Sequence, residues 1–529
     1  MGPEANIDAI HALEKRIKEG DGDITKLKRD RNSLLNISTR VPPEILGYIF
    51  NWCLVRKPDW LFEGLRKGSY RFVLVCHHWF ETASQTPELW GLWGNKLRDW
   101  KKRHHRSGAT PVDLVLDHYE LSPAVFDKSL QDAVRSRVIQ NTIRQVLFFS
   151  EDFSTLKPII SSLTPDDEGG QNENIESIAL HGWGDPALDV SKFFARSHLS
   201  RLRSLDLYGN FLVSSWDSLA SRTTLLTRLS LNINTSSWPS PPTAAQLFSI
   251  LTSNPNLQEL SLTNNLPNDP DASTSKVQLR HLKTLALTGE SRHLLGLLRR
   301  LILPNTLDVL RLDVLNLTAE EISGTLAPYM QDYFQRDPRF QGRLGISSSS
   351  CVGSISISVG VVSTQTTVPV LVSPLVSLAA STNLPPPNGL EQPFVDLIAL
   401  VPREHVVFFD VGADVNPPEE LFFMMPKIET LHLSRVLLSE RFLQPRSDGP
   451  HVGTKLLPSL RSLRLEGVVF RNDNRDRLKT YLAHQSSDSR AISLEVVGDL
   501  PNWWPEAMNE IRGLVNKFVH RRRLGAEEE

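Results

Sequence analysis

The 529-residue sequence predicts an α/β fold: a small all-helical module, then an irregular solenoid of short parallel strands with helical return segments, closed by a C-terminal capping helix. Three observations carry that prediction. The pattern LxxLxLxxN recurs at "LRSLDLYGN" (from Leu202), "LTRLSLNIN" (from Leu226) and "LQELSLTNN" (from Leu257). Ahead of it, "VPPEILGYIF" and "VCHHWFETASQTPELW" form a short apolar, tryptophan-containing pair of segments at helical period. After it, "NWWPEAMNEIRGLVNKFVHRRRL" places Ile511, Leu514, Val515 and Phe518 on one helical face.

Composition narrows the function classes. Lys and Arg number 58 against 60 Asp and Glu. That near-neutral balance gives no basis for a wholesale polyanion binder and leaves a protein partner open. The three cysteines (Cys53, Cys76 and Cys351) form no CxxC pair, which fits a reducing compartment, cytoplasmic or nuclear. The first twenty residues lack the apolar core of a secretory signal, and no eighteen-residue apolar run predicts a membrane span.

Residues 1–38 carry Ile10, Leu13, Ile17, Ile24, Leu27 and Leu34 in a heptad-like seam, weakened by Gly20, Gly22 and Arg31. Two readings stay open there: an amphipathic helix resting on the next domain, or a self-pairing coiled coil. Residues 39–95 are the helical module. Its first helix is opened by Pro42 and Pro43 and carries Ile45, Leu46, Ile49 and Phe50. A second helix over roughly 70–83 presents Phe72, Val73, Val75, Cys76 and Trp79, and "QTPELW" starts a third at Pro87. Residues 96–170 read as a basic linker, "KLRDWKKRHHRSG", and irregular first repeats. A solvated linker face is favoured there over a nucleic-acid contact, because no aromatic stacking series accompanies the charge.

Repeats are predicted over 171–343 and 391–500. Degenerate copies stand at "LKTLALTGE", "LDVLRLDVL", "IETLHLSRV" and "LRSLRLEGV", with an earlier "IESIALHGW" and a last "AISLEVVGD". The leucines at 205, 229, 260, 285 and 310 lie 24 to 31 residues apart, the period of leucine-rich repeats with helical returns. In such a unit the alternating leucines point inward, and the asparagine amide bonds to backbone left unpaired where the chain turns out of the strand. Between the two arrays, residues 344–390 contain no charged side chain. The expectation is one hairpin or strand pair and then a loop, either a binding insertion or a tolerated one. Residues 501–529 are expected to be a capping helix and a frayed tail.

No phosphate-binding glycine loop, nucleophile elbow or zinc helix motif is present. Cys76-His77-His78 is the tempting cluster. Adjacent histidines on a helix point about 100° apart, however, and cannot share a metal as an i, i+4 pair can.

With these residues laid out, Val41 to Trp93 resembles an F-box domain of the F-box-like variety abundant among fungal proteins. "VPPEIL", Ile49-Phe50, Val75-Cys76, Trp79 and "PELW" carry the likeness, with Val41 where leucine is usual. The repeats resemble those of F-box leucine-rich-repeat proteins. The resemblance implies a non-catalytic substrate receptor of a Skp–cullin–F-box ubiquitin ligase, without cofactor or metal. Its partners would be a Skp-type adaptor, cullin through that adaptor, and an unknown target protein on the repeats. The adaptor contacts it implies are Pro42, Ile45, Leu46, Ile49, Phe50, Val75, Trp79 and Trp90. Cys76 and Trp79 either join that contact or tie the three short helices together. A repeat scaffold without ubiquitin transfer is the alternative, and an enzyme hidden in the uncharged stretch a remoter one.

Overall fold

In a computed structural model of the chain, each of the nine LxxLxL-type copies folds as a short strand whose pattern leucines are buried. The structure describes residues 3–20, 23–35, 41–53, 75–93, 105–117, 128–139, 141–151, 153–164, 172–184, 187–214, 216–233, 241–267, 276–305, 307–351, 354–363, 370–381, 391–412, 419–434, 457–468, 474–486, 492–497 and 504–521. It is a mixed α/β protein with mostly parallel strand pairing. Two compact units divide it, residues 1–226 with 233–239, and residues 227–232 with 240–529.

The first unit opens with two helices, α1 (Pro3–Glu19) and α2 (Ile24–Leu35). The heptad-like seam is therefore broken where the glycines stand: Gly20 takes φ +68°, a conformation that ends a helix at little cost to glycine. Asp23 then opens α2, its Oδ1 accepting from the backbone N–H of Thr25 at 2.9 Å. Leu27 is buried and Ile24 exposed, while the side chain of Leu34 lies outside the described residues.

Among the described residues three short helices follow, α3 (Pro43–Cys53), α4 (His77–Ser84) and α5 (Pro87–Trp90). The second starts later than its apolar pattern suggests. Cys76 is extended, with φ −159°, and sits at the helix N-cap, so Val75 precedes the helix. Phe72 and Val73 lie outside the described residues.

Gly91 then turns the chain directly into a strand ladder. The order is β1 (Leu92–Trp93), β2 (Val112–Asp117), β3 (Ile143–Ser150), β4 (Ser177–Gly182) and, past the short β5 (Leu188–Asp189), β6 (Ser204–Gly209), all in parallel register. The β5 strand pairs with β7 (Phe211–Leu212). Crossovers run through α6 (Lys128–Ile139), α7 (Phe153–Leu163) and α8 (Ser191–Arg196), and α9 (Trp216–Arg222) follows β7. Two apolar rows cross the strands, Leu114–Val146–Ile178–Leu205 and Leu116–Phe148–Leu180–Leu207, each residue at most 2% exposed.

The second unit continues the same grammar. Its strands are β8 (Arg228–Ile233), β9 (Glu259–Thr263), β10 (Val277–Gln278), β11 (Thr284–Glu290), β12 (Leu301–Ile302), β13 (Val309–Leu315), β14 (Leu344–Cys351), β15 (Ser354–Ser363), β16 (Val370–Ser381), β17 (Val406–Val411), β18 (Thr430–Ser434), β19 (Ser462–Glu466), β20 (Ile492–Val497) and β21 (Val515–Arg521). Return helices include α10 (Ala244–Ser253) and α11 (Ser291–Leu298). The Thr243–Gln246 capping box sets the start of α10, the two residues exchanging side-chain bonds with each other's backbone N–H.

Two expectations are corrected here. The uncharged stretch is not a hairpin followed by a loop: residues 344–351, 354–363 and 370–381 are three strands of the ladder, with 382–390 outside the described residues. β13 pairs parallel with β16, β16 and β15 pair antiparallel, β15 and β14 pair antiparallel, and β14 pairs parallel with β17. Val376, Leu378, Ile357, Val359 and Ile346 continue the buried leucine rows, and serines such as Ser347, Ser358 and Ser377 occupy the other face. Pro374 sits opposite Gly360 at a register shift, the kind of irregularity at which proline is tolerated within a sheet. The C-terminal helix is also shorter than its apolar face suggests. Helix α17 (Trp504–Leu514) follows α12 (Ala319–Glu321), α13 (Ala327–Arg336), α14 (Glu391–Ala399), α15 (Glu419–Met424) and α16 (Asn474–Ser486) among the described residues. At Val515 the chain becomes β21 and pairs with β20, so Phe518 lies opposite Leu494 instead of on a helix.

Candidate functional site

Helix α3 is apolar on two faces, and among the described residues only one of them packs into a core cluster. Leu46 and Phe50 point inward and pack with Ala83, Leu89 and Trp90 in one buried cluster, against which Val41 and Trp79 rest. The Phe50 and Trp79 ring centroids stand 5.0 Å apart. Trp90 is locked by its Nε1–H, which donates to the Ala83 carbonyl at 2.7 Å, and Arg106 lies over its ring at 4.5 Å. Gly47 lets α3 approach Thr86, because a Cβ there would come within 2.9 Å of Thr86 Oγ1.

The other face is bare. Ile45, Tyr48, Ile49 and Trp52 are spaced i, i+3, i+4, i+7 and are 53%, 72%, 44% and 76% exposed. Val75 and Phe80, ahead of and on α4, are exposed too. Burying a side chain of this kind yields about 1.5–3 kcal/mol. The stripe is thus a contiguous apolar patch of the kind that sets interaction surfaces apart from scattered exposed side chains.

The eight residues expected to contact a partner divide accordingly. Pro42, Ile45, Ile49 and Val75 are exposed, while Leu46, Phe50 and Trp90 are sealed in the module's own core and unavailable to a partner. Trp79 belongs with the core it packs on. The reason is geometric: at 100° per residue, Leu46 and Phe50 fall on the side opposite Tyr48 and Trp52, and a module of three short helices needs that side for itself. Tyr48, Trp52 and Phe80 are exposed members that sequence reasoning missed. The signal was present, since Tyr48 and Trp52 complete the 45/49 stripe at helical spacing.

The module is not hung on a linker. Leu92 and Trp93 form the first rung of the ladder, opposite Asp113 and Leu114. The Asp113 N–H donates to the Gly91 carbonyl at 2.8 Å, and a Cβ at Gly91 would meet the Pro111 carbonyl oxygen at 2.6 Å. Trp93 is fully buried, with Arg137 over its ring at 5.3 Å, and burial lowers the Arg137 pKa. Of the basic run, residues 96–104 lie outside the described residues. Arg106, the last basic residue of that run, is half-buried and stacks on Trp90 and Phe80.

The ladder's other face is polar in the second unit. On it Ser434 Oγ lies 3.1 Å from His432 Nε2, and Asp410 Oδ1 lies 2.9 Å from Nδ1. Those are the separations of a serine–histidine–aspartate relay. Glu466 Oε2 also sits 3.4 Å from the same Nε2, so a carboxylate competes with the serine hydroxyl for that nitrogen. Asp410 Oδ1 accepts no directed hydrogen bond, so the 2.9 Å approach does not orient the ring as such a relay requires. Elsewhere, His77 pairs with Glu81 at 3.2 Å across one helical turn. No three His, Cys, Asp or Glu side chains converge on one point among the described residues. No helix of the described residues is long and apolar enough to cross a membrane.

Of the three pattern asparagines, Asn234 lies outside the described residues, and the other two are placed as the pattern requires. Asn210 Nδ2 donates to the carbonyls of Trp183 (3.4 Å) and Gly184 (3.3 Å), and Asn265 Nδ2 to that of Leu231 (3.4 Å). No family model and no curated protein matches the chain.

Proposed function

We propose that the helical module is an F-box-like domain that docks a Skp-type adaptor, and that the ladder is a leucine-rich-repeat array that holds a target protein. The chain is then the non-catalytic recognition subunit of a Skp–cullin–F-box ubiquitin ligase. The observation that carries the reading is the Ile45/Tyr48/Ile49/Trp52 stripe, apolar and bare on a helix whose opposite face is already packed. Covering four such side chains, at about 1.5–3 kcal/mol each, offsets an association cost of several kcal/mol. The contribution to rate is proximity: a target held on the array meets the ubiquitin carrier as an intramolecular partner. The β1 rung gives that geometry its stiffness, because the adaptor-binding helices continue into the first strand without a free joint.

The test is affinity purification of the intact chain beside an Ile45→Asp, Trp52→Ala double variant. Both positions are exposed, so the fold survives the change. Adaptor and cullin are expected with the intact chain and absent from the variant, while proteins held on the array remain. Absence of adaptor and cullin from both preparations overturns the reading. Target turnover then separates the ligase from a scaffold: in cells carrying the double variant a ligase target accumulates, whereas a scaffold's partner does not. Excising residues 41–93 is the poorer experiment, since it also removes β1 and opens the edge of β2.

A further inference from the structure

On the first unit's ladder, the face opposite the leucine rows carries an aromatic cluster in register across three strands. Phe149, His181 and Tyr208 are consecutive partners on β3, β4 and β6. The ring centroids of Phe149 and His181 are 4.2 Å apart and those of His181 and Tyr208 5.4 Å. Trp183, just past β4, packs edge-on against Tyr208 at 5.2 Å. Trp183 and Tyr208 remain 45% and 37% exposed. Phe149 also adjoins an apolar patch of Val115, Leu147 and Ala179.

Charge decides what such a platform receives. Along β3, β4 and β6 the positions on this face are 145, 147, 149, 177, 179, 181, 204, 206 and 208. They hold one carboxylate, Asp206, which meets His181 Nε2 at 3.1 Å, and no lysine or arginine. Phosphate would find no lysine or arginine at these positions, so a nucleic acid stacking on the rings is disfavoured. A guanidinium gains from the ring faces and from Asp206, two residues before Tyr208 on the same side of its strand.

We propose that this face is a docking site for an arginine-bearing segment of a partner protein, the guanidinium lying on Trp183 and Tyr208 beside Asp206. It rests on reading the ladder as the target-holding surface and supplies the chemistry of that target.

The probe is a pool of fluorescein-labelled octapeptides with one central arginine and degenerate flanks, compared on the immobilised full chain with the same pool carrying citrulline. Citrulline keeps the shape and removes the charge. Retention of the arginine pool is expected to exceed that of the citrulline pool about tenfold, and to fall by a similar factor in Trp183→Ala and in Tyr208→Ala. Asp206→Asn should lower it several-fold. Equal retention of the two pools overturns the proposal and needs no variant. Unchanged retention in a folded Trp183→Ala, Tyr208→Ala double variant also overturns it, as does stronger retention of an oligouridylate than of the arginine pool. Capture of the adaptor is scored in the same preparations. Loss of arginine preference with adaptor still bound sinks this inference alone, whereas arginine preference without adaptor sinks the ligase reading alone.

Discussion

The ladder and the helical module are both built on leucine- and isoleucine-sized side chains, but they dispose of them in opposite ways. In the second unit Leu229, Leu260, Leu285 and Leu310 stand in one row, each fully buried, because every strand is covered by its neighbours and its return segment. In α3 Leu46 and Phe50 are sealed, while Ile45, Tyr48, Ile49 and Trp52 are bare. Burial in the ladder is a condition of folding. Exposure on α3 costs solubility without aiding the fold, a cost that the proposed adaptor contact would offset. The contrast teaches that apolar pattern locates elements, and that the number of faces an element can cover decides which apolar residues remain for binding.

That contrast predicts a gradient of mutational cost. The largest effect should come from Leu260→Ala, a fully buried mid-row residue, with a loss of about 2–5 kcal/mol in a denaturant melt. A cost under 1 kcal/mol would mean that the row is not a shared core. Asn265→Ala should cost about 1–2 kcal/mol, since it strips a donor from buried carbonyls; a neutral result would break the turn-asparagine argument.

A smaller, pH-dependent effect belongs to His293, buried on α11 with no partner for Nε2. Desolvation, aided by Arg292 and opposed by Glu290, holds its pKa below the ordinary value. The folded state therefore favours the neutral ring. Its contribution is full above about pH 6.5 and is lost as the pH falls through the lowered folded value. His293→Leu should flatten the decline of Tm on going from neutral to mildly acidic buffer, and an unchanged slope would refute the assignment. The smallest stability effect is expected at Trp52→Ala, within about 0.5 kcal/mol, although adaptor capture should weaken sharply. A large loss of Tm there would show that the stripe serves the fold after all.

Much of the ladder was legible because LxxLxLxxN states both a strand and its buried side. Strands β2, β3 and β17 were not, since "IRQVLFF" and "VVFFDV" replace leucine with other apolar residues, "VDLVLD" lacks the lead leucine, and all three lack the asparagine. The uncharged stretch misled for a related reason. Its serines and valines alternate at strand period, but proline and the absence of charge read as loop, and only pairing with β13 and β17 reveals three rungs. At the candidate site, the residues of α3 were legible as apolar, while their division into core and surface was not.

By itself, then, the sequence determined where strands and short helices form and which side of each strand is apolar, because those are properties of spacing along one chain. It did not determine that α3 turns Leu46 and Phe50 inward and Tyr48 and Trp52 outward, that Gly91 fuses the module to the first rung, or that Phe149, His181 and Tyr208 meet. Those follow from which elements lie side by side. Adjacency across strands and helices is fixed by packing between residues far apart in sequence, which no local period encodes.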